Sequence, residues 1–252
     1  MLSDTSTDRH LSVTQLRMFS RCPLQYKFRY VDGIVIPPYS EITLGKSIHQ
    51  TLEENYRQKI ETKENLALEY LTDVFSDTWE RQVQGTFFEE DEKPGEIKDE
   101  GARILKNYHK VVAPTIQPVE VEKEFNLFLD GTLYKMKGFI DVVTDKGLII
   151  DHKVTKRAFS QDQVMSDIQL TAYAFAYRTL NGKDEEGLRF DVMVRTKEPK
   201  IQQVYASRSQ EDINRFLKLA GYVNKAITTG IFYPNENFMC PKCGYKELCK
   251  KW

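Results

Sequence analysis

Two apolar runs joined by a short glycine-containing turn, "GFIDVVTDKGLIIDHKV" at residues 138–154, constrain how this chain can fold. Both runs have the residue types of β-strands that are buried in a sheet. They nevertheless carry Asp141, Asp151 and Lys153, whose charges are costly to bury without partners. The sequence therefore predicts a sheet with a charged cluster built into it.

The turn between the two runs decides whether these charges meet. A three-residue hairpin loop at residues 145–147 would place Gly147 in the left-handed conformation. Counting outward from such a loop puts Asp141 opposite Asp151, with Lys153 on the same face. A two-residue loop would instead turn Asp141 to the other face of the sheet.

The cluster would have a clear chemical use if it forms. Two neighbouring carboxylates repel each other, and burial strengthens the repulsion. A hard divalent cation such as Mg²⁺ or Mn²⁺ would relieve it, because such ions prefer oxygen ligands. Lys153 would then orient a water or neutralise charge developing on a phosphate oxygen. The alternative is an ordinary ion pair on the surface of the sheet, since Asp-x-Lys is a common pattern.

The rest of the chain predicts an α/β fold with a small mixed sheet flanked by helices. Ser12 and Gln15 form a capping box at the start of a helix, and Ser209 begins the final helix with Asp212 three residues on. Asp130-Gly131 indicates a hairpin turn. We expect one domain over residues 1–252, with an N-terminal helix at 11–36, a helical insertion at 61–113, a sheet core at 118–206 and a helix with a cysteine-bearing tail at 209–252.

Composition limits the partners of the protein. The net charge of −1 neither indicates nor excludes nucleic acid, because an acidic site can offset a basic groove. Apolar runs are far shorter than the roughly 20 residues of a membrane span, and residues 1–10 lack the apolar part of a signal peptide. We therefore expect a cytoplasmic protein without a membrane partner. Gly45-Lys46-Ser47 resembles the end of a phosphate-binding loop, but position 40 is serine, so no nucleoside triphosphate is expected.

Four motifs occur in a fixed order along the chain. "GKSIHQTLEE" contains His49, "GFIDVV" and "LIIDHKV" contain the two aspartates and Lys153, and "DIQLTAYAFAY" contains Gln169 and Tyr173 one helical turn apart. In this order they resemble the motifs of PD-(D/E)XK nucleases, in particular the RecB-like branch. The resemblance implies a restriction-endonuclease-like core. It implies the metal ligands His49, Asp141, Asp151 and the Val154 carbonyl, and the catalytic set Asp141, Asp151, Lys153, Gln169 and Tyr173.

The cysteines predict a metal site. Cys240, Cys243 and Cys249 have the spacing C-x₂-C-x₅-C, and Cys22 lies 218 positions before Cys240. Alone, "CPKCG" resembles a zinc knuckle, and a structural Zn²⁺ stays an alternative. With "LSVTQLRMFSRCPLQYKFRYVDGI", the layout resembles that of the iron–sulfur RecB-like nucleases, including AddB-like and CRISPR adaptation nucleases. That resemblance implies a [4Fe–4S] cluster that clamps the two ends of the chain.

The function implied is a Mg²⁺- or Mn²⁺-dependent deoxyribonuclease of the exonuclease type, in DNA repair, recombination or CRISPR adaptation. Aromatic and basic residues of "FSRCPLQYKFRY" and the C-terminal lysines would follow a single strand or a free DNA end. They could equally form a basic surface over a small aromatic core. Alternatives are a subunit active only with a separate helicase or integrase, and a catalytically silent DNA-binding module. Glu122 and Glu124 are interpreted as solvated charges on a strand.

Overall fold

The helices and strands of the chain are described by a computed structural model for residues 10–129 and 135–252; the expected turn at Asp130-Gly131 lies outside these residues. The strands are β1 His10–Leu11, β2 Pro118–Phe128, β3 Lys135–Thr144, β4 Leu148–Thr155, β5 Gly187–Val194 and β6 Lys200–Ala206. The helices are α1 Val13–Arg21, α2 Pro23–Tyr26, α3 Ser40–Thr62, α4 Leu68–Val83, α5 Pro94–Val111, α6 Gln161–Met165, α7 Ile168–Asn181, α8 Gln210–Thr228 and α9 Lys246–Cys249.

The described strands form a six-stranded mixed sheet flanked by helices, which confirms the predicted α/β class. The order along the sheet is β1-β3-β4-β5-β6, and β2 also pairs with β3. β4 and β5 run parallel, whereas β3 with β4 and β5 with β6 are antiparallel. The parallel pair needs a long connection, and α6 and α7 lie within it.

The hairpin between β3 and β4 has the predicted three-residue loop. Gly147 has a φ of +80°, a conformation that glycine adopts without steric cost. Val143 lies opposite Ile149. The paired residues end with Val142 opposite Ile150, and Asp141 and Asp151 are the next residues on the two strands.

Local signals fix the ends of several helices. Ser12 accepts a hydrogen bond from the Gln15 backbone, and the Gln15 side chain returns one to the Ser12 backbone, which completes the predicted capping box. Ser209 and Asp212 do the same at the start of α8. Residues 45–47, which resemble part of a phosphate-binding loop, lie within α3 instead.

Contacts divide the described residues into two compact units, and each has its own interior. The larger unit comprises Pro37–Lys123 and Phe139–Ser207. Its core contains apolar side chains from α3, α4 and α5 together with strand residues, among them Leu44, Ile48, Phe75, Trp79, Ile104, Val142 and Ile150. Burying each such side chain stabilises the fold by about 1.5–3 kcal/mol. The segment predicted as a helical insertion thus shares a core with the strands.

The smaller unit comprises the described residues within Met1–Ile36, Glu124–Gly138 and Arg208–Trp252, and it contains all four cysteines. Gly138 on β3 lies so close to Phe125 on β2 that a β-carbon would meet the ring at 2.5 Å. A larger residue there would displace the ring. Within the described ranges, no helix is both long and apolar enough to cross a bilayer.

Candidate active site

The carboxylate of Asp141 lies where the hairpin meets α3. Its Oδ2 accepts a 2.9 Å hydrogen bond from the His152 backbone N–H. The same oxygen is 3.2 Å from His49 Nδ1 and 3.4 Å from His152 Nδ1. One ligand atom from each of His49, Asp141 and His152 lies within 4.8 Å of the other two. These three side chains could therefore share a metal ion.

The carboxylate of Asp151 is fully buried and is held by α7. Its Oδ1 accepts hydrogen bonds from Gln169 Nε2 at 2.7 Å and from the Tyr173 hydroxyl at 3.1 Å. Gln169 and Tyr173 are one helical turn apart on α7, and Gln169 Nε2 also lies 2.8 Å from the Tyr173 hydroxyl. The structure thus brings both predicted α7 residues onto the predicted aspartate.

Lys153 joins the same group from the end of β4. Its Nζ forms an ion pair with Asp151 Oδ2 and donates a 3.0 Å hydrogen bond to Gln169 Oε1. The ammonium group also lies 5.1 Å from the centre of the Phe190 ring. Gln169 therefore bridges the carboxylate and the lysine, and this restricts the positions that both can take.

The electrostatics of the two aspartates differ. Burial alone would raise the pKa of the Asp141 carboxyl, but the charge of His49 and the hydrogen bond from His152 hold it well below its usual range. Burial would lower the pKa of His49, and Asp141 raises it above its ordinary value. Burial and the charge of Asp141 raise the pKa of Asp151. The site thus contains the repulsion between buried carboxylates that a cation would relieve.

A buried hydrogen-bond network behind the site was not foreseen from the sequence. His152 Nε2 lies 2.9 Å from the Tyr108 hydroxyl, which donates to Asp191 Oδ2 at 2.8 Å. Asp191 in turn pairs with Arg189. The sequence did contain a signal for such a network, an aspartate and an arginine inside the apolar strand "LRFDVMV". Buried charges require partners, so this pair indicates buried polar contacts.

Glu122 lies in a different environment from the one that the sequence predicted. We expected a solvated charge, but Glu122 is half-buried and has a φ of +47°, which is uncommon for a residue other than glycine. Burial raises the pKa of its carboxyl to about 7, and the negative charges of Asp141 and Glu53 contribute. Strand periodicity could not reveal this conformation. Glu124 is exposed, as expected.

The fold and the charged cluster do not by themselves identify the family of this chain. A comparison with known families does. Residues 10–250 match the family described as the PD-(D/E)XK nuclease superfamily. The chain belongs to that superfamily.

One solved structure agrees with this membership at the level of the fold. The PD-(D/E)XK nuclease chain is 13% identical to a protein from Eubacterium rectale named "Putative exonuclease", with a TM-score of 0.64. The alignment covers 96% of this chain and 88% of that one. A second structure, SSO0001, is 15% identical over 87% of this chain and 98% of its own, but its TM-score of 0.40 is too low to support an argument. No curated protein matches.

The four cysteines of this PD-(D/E)XK nuclease all lie half-buried in the smaller unit. Burial raises the pKa of the Cys249 thiol, and the nearby Cys22, Cys243 and Cys240 raise it further. Backbone N–H groups of Asn235 and Asn237 point at two of the sulfurs, those of Cys22 and Cys240, at 3.5 and 3.2 Å. These two contacts hold the sulfurs of Cys22 and Cys240 in place.

Three of the five aromatic residues expected to contact a DNA strand form an interior instead, whereas Tyr30 is exposed and Phe28 is half-buried. Phe19, Tyr26 and Tyr245 are each at most 7% exposed. Phe19 packs edge-on against Tyr26, and the Tyr245 hydroxyl donates to the Ile34 carbonyl at 2.9 Å. The small aromatic core that the sequence left open as an alternative is therefore present. Phe238, in contrast, is 92% exposed.

Proposed function

We propose that the protein is a divalent-metal-dependent deoxyribonuclease that hydrolyses phosphodiester bonds at DNA ends or in single strands. The observation that carries the proposal is the assembly of Asp151, Lys153 and Gln169 beside the His49–Asp141 pair. Membership of a nuclease superfamily supports hydrolysis of nucleic acid. DNA as the substrate and the exonuclease mode rest on the resemblance of the motifs and remain parts of the proposal.

The donor set of the site fits a divalent cation. His49 and Asp141 offer a nitrogen and an oxygen 3.2 Å apart, and the Asp151 carboxylate repels that of Asp141. We assign the ligands His49, Asp141 and Asp151, with the Val154 carbonyl completing the set by family resemblance. A bound cation would supply positive charge that stabilises the transition state at the scissile phosphate.

The roles of the other residues follow from their contacts. Lys153 is held by Asp151 and Gln169, so its ammonium can orient the attacking water or offset charge on a phosphate oxygen. The Tyr173 hydroxyl and the Gln169 amide fix the Asp151 carboxylate from α7. Such supporting hydrogen bonds keep reacting groups in a productive arrangement.

We further propose that Cys22, Cys240, Cys243 and Cys249 hold a [4Fe–4S] cluster, as in the iron–sulfur RecB-like branch. The five residues between Cys243 and Cys249 differ from the spacing of a paired zinc knuckle, and Cys22 is distant in the sequence, so this assignment rests on the family resemblance. A structural Zn²⁺ is the alternative.

The biological setting proposed is DNA repair, recombination or CRISPR adaptation. A separate helicase or integrase would be the partner if the chain acts within a larger complex. The decisive experiment incubates end-labelled single-stranded and duplex DNA with the protein and Mg²⁺ or Mn²⁺. Metal-dependent cleavage that chelation abolishes is the expected result, and absence of cleavage under every metal condition would favour a DNA-binding module.

A further inference from the structure

His152 lies between Asp151 and Lys153 in the sequence, but its ring occupies a different environment. The side chain is 2% exposed and stacks on Tyr56, with ring centres 5.9 Å apart and planes 18° apart. The ring of His49 lies edge-on to it at 5.8 Å. One ring nitrogen of His152 therefore faces the Asp141 carboxylate, and the other faces Tyr108.

The buried network determines where the proton of His152 resides. Asp191 is paired with Arg189, so its carboxylate accepts hydrogen bonds. The single hydroxyl proton of Tyr108 therefore goes to Asp191 Oδ2, 2.8 Å away. At the 2.9 Å contact between Tyr108 and His152, the Nε2 atom must then be the donor. In the neutral ring this leaves a lone pair on Nδ1.

The lone pair on His152 Nδ1 faces a carboxylate oxygen, Asp141 Oδ2, which also carries lone pairs. His152 Nδ1 is 3.4 Å from Asp141 Oδ2, and the same oxygen is 3.2 Å from His49 Nδ1. Two ligand atoms that are each about 2.1 Å from one ion, at angles of about 90 to 109°, are about 3.0 to 3.4 Å apart. Both distances from Asp141 Oδ2 to an imidazole nitrogen are thus of the size that a shared cation would give, and one ligand atom from each of the three residues lies within 4.8 Å of the other two.

We propose that His152 Nδ1 is a ligand of the active-site metal, beside His49 and Asp141, and that this pair of imidazoles selects a transition-metal ion over Mg²⁺. The inference rests on the proposed function only in assuming that the site binds a divalent ion. Imidazole nitrogen suits first-row transition metals, whereas Mg²⁺ prefers oxygen and water. A metal-binding histidine usually donates its second ring N–H to a fixed acceptor, and Tyr108 supplies that acceptor here.

The test counts imidazole ligands on Mn²⁺ by pulsed electron paramagnetic resonance. Wild-type protein with ¹⁵N-labelled histidine is compared with unlabelled wild-type protein. This comparison alone gives the number of histidine nitrogens bound to Mn²⁺. We expect two histidine nitrogens in the wild type and one each in His49→Ala and His152→Phe, the latter keeping a ring against Tyr56. The Kd for Mn²⁺ should be at least tenfold higher in His152→Phe than in the wild type. In the wild type, the Kd for Mn²⁺ should be at least tenfold lower than the Kd for Mg²⁺.

His109→Gln is the matched control, because His109 lies elsewhere on α5, where its Nε2 contacts the Leu66 carbonyl. Its Mn²⁺ spectrum and Kd should equal those of the wild type. A single histidine coupling in the wild type would overturn the inference, and DNA cleavage by that protein would leave the nuclease proposal intact. Two couplings in a protein that never cuts DNA would support the inference and contradict the nuclease proposal.

Discussion

Lys153 on β4 and Gln169 on α7 are joined by a 3.0 Å hydrogen bond from Nζ to Oε1. The other end of the same amide donates to Asp151 Oδ1 at 2.7 Å. Because an amide has one donor end and one acceptor end, the two contacts together fix its orientation. The position of the lysine therefore depends on a helix that follows it in the chain, and this dependence can be tested.

We expect Asp151→Ala and Lys153→Ala each to lower the rate of DNA cleavage by at least about 10²-fold, because each removes charge stabilisation at the scissile phosphate. Asp141→Ala should do the same through loss of metal. Rates are measured on end-labelled DNA, and thermal melting verifies folding. Lys146→Ala, in the exposed turn, is the matched control. Wild-type rates in both aspartate variants would show that the site is assigned wrongly.

Gln169→Leu should lower kcat about 10- to 100-fold, the usual effect of removing a group that orients active-site residues. The reason is that Lys153 and Asp151 both lose their bridge. Steady-state kinetics on a labelled single strand provides the measurement. Thr179→Ala, at an exposed position on the same helix, should leave kcat unchanged. Equal rates in the two variants would contradict a positioning role for Gln169.

A [4Fe–4S] cluster at the four cysteines would give the protein a colour. Material purified without oxygen should be brown and contain iron and acid-labile sulfide in equal amounts. Replacing any of the four cysteines by serine should bleach it and lower the melting temperature by about 10 °C or more, because metal binding contributes directly to folding. Lys251→Ala, exposed near Cys249, serves as the control. A colourless protein with one tightly bound zinc per chain would establish the zinc alternative.

The raised pKa of Glu122 should make the free energy of unfolding depend on pH. Its pKa is raised from an ordinary 4.5 to about 7, so the stability that its protonated form contributes is complete below pH 4.5 and lost as the pH rises through 7. Glu122→Gln should therefore be more stable than wild type at pH 8, by up to about 3 kcal/mol because each pKa unit corresponds to about 1.4 kcal/mol, and similar near pH 4.5. Thermal melting in a chelator measures this. Glu124→Gln is the exposed control, and an equal gain there would refute the burial argument.

We expect an unpaired base of a DNA single strand to stack on the exposed ring of Phe238. An exposed ring gains from stacking on a base, and each such contact contributes about 1–3 kcal/mol. Phe238→Ala should therefore raise the Kd for a labelled single strand about 5- to 160-fold and affect closed duplex circles little. Val35→Ala, at a side chain that is 77% exposed but has no ring, is the control. Salt should weaken binding throughout, because phosphate contacts release counterions.

The preference for ends is tested with closed duplex circles, linear duplex and linear single strands under one metal condition. Cleavage of the linear forms is expected, because a paired duplex hides its base faces from stacking. Rapid cutting of the closed duplex at one sequence, with single strands spared, would instead indicate a restriction-like endonuclease.

The hairpin register and the helix caps could be read from the sequence because they depend on neighbouring residues. Gly147 alone supplies the left-handed position of the loop, and alternation then assigns each strand residue to a face. The capping box at Ser12 likewise spans three residues. The sequence therefore indicated that Asp141 and Asp151 lie on the two strands of one hairpin, and the order of its motifs indicated the superfamily to which the chain belongs.

Only the tertiary structure decided the surroundings of His152 and Glu122. Whether a polar side chain is solvated depends on groups that fold against it from distant parts of the chain, and no local pattern records them. Tyr108 is 44 positions from His152 and bonds to its ring, and burial with Asp141 nearby raises the pKa of Glu122. In the smaller unit, packing between sequence-distant segments likewise buried the rings of Phe19 and Tyr245. Desolvation is a property of the assembled fold, so the sequence could name these residues but not their environments.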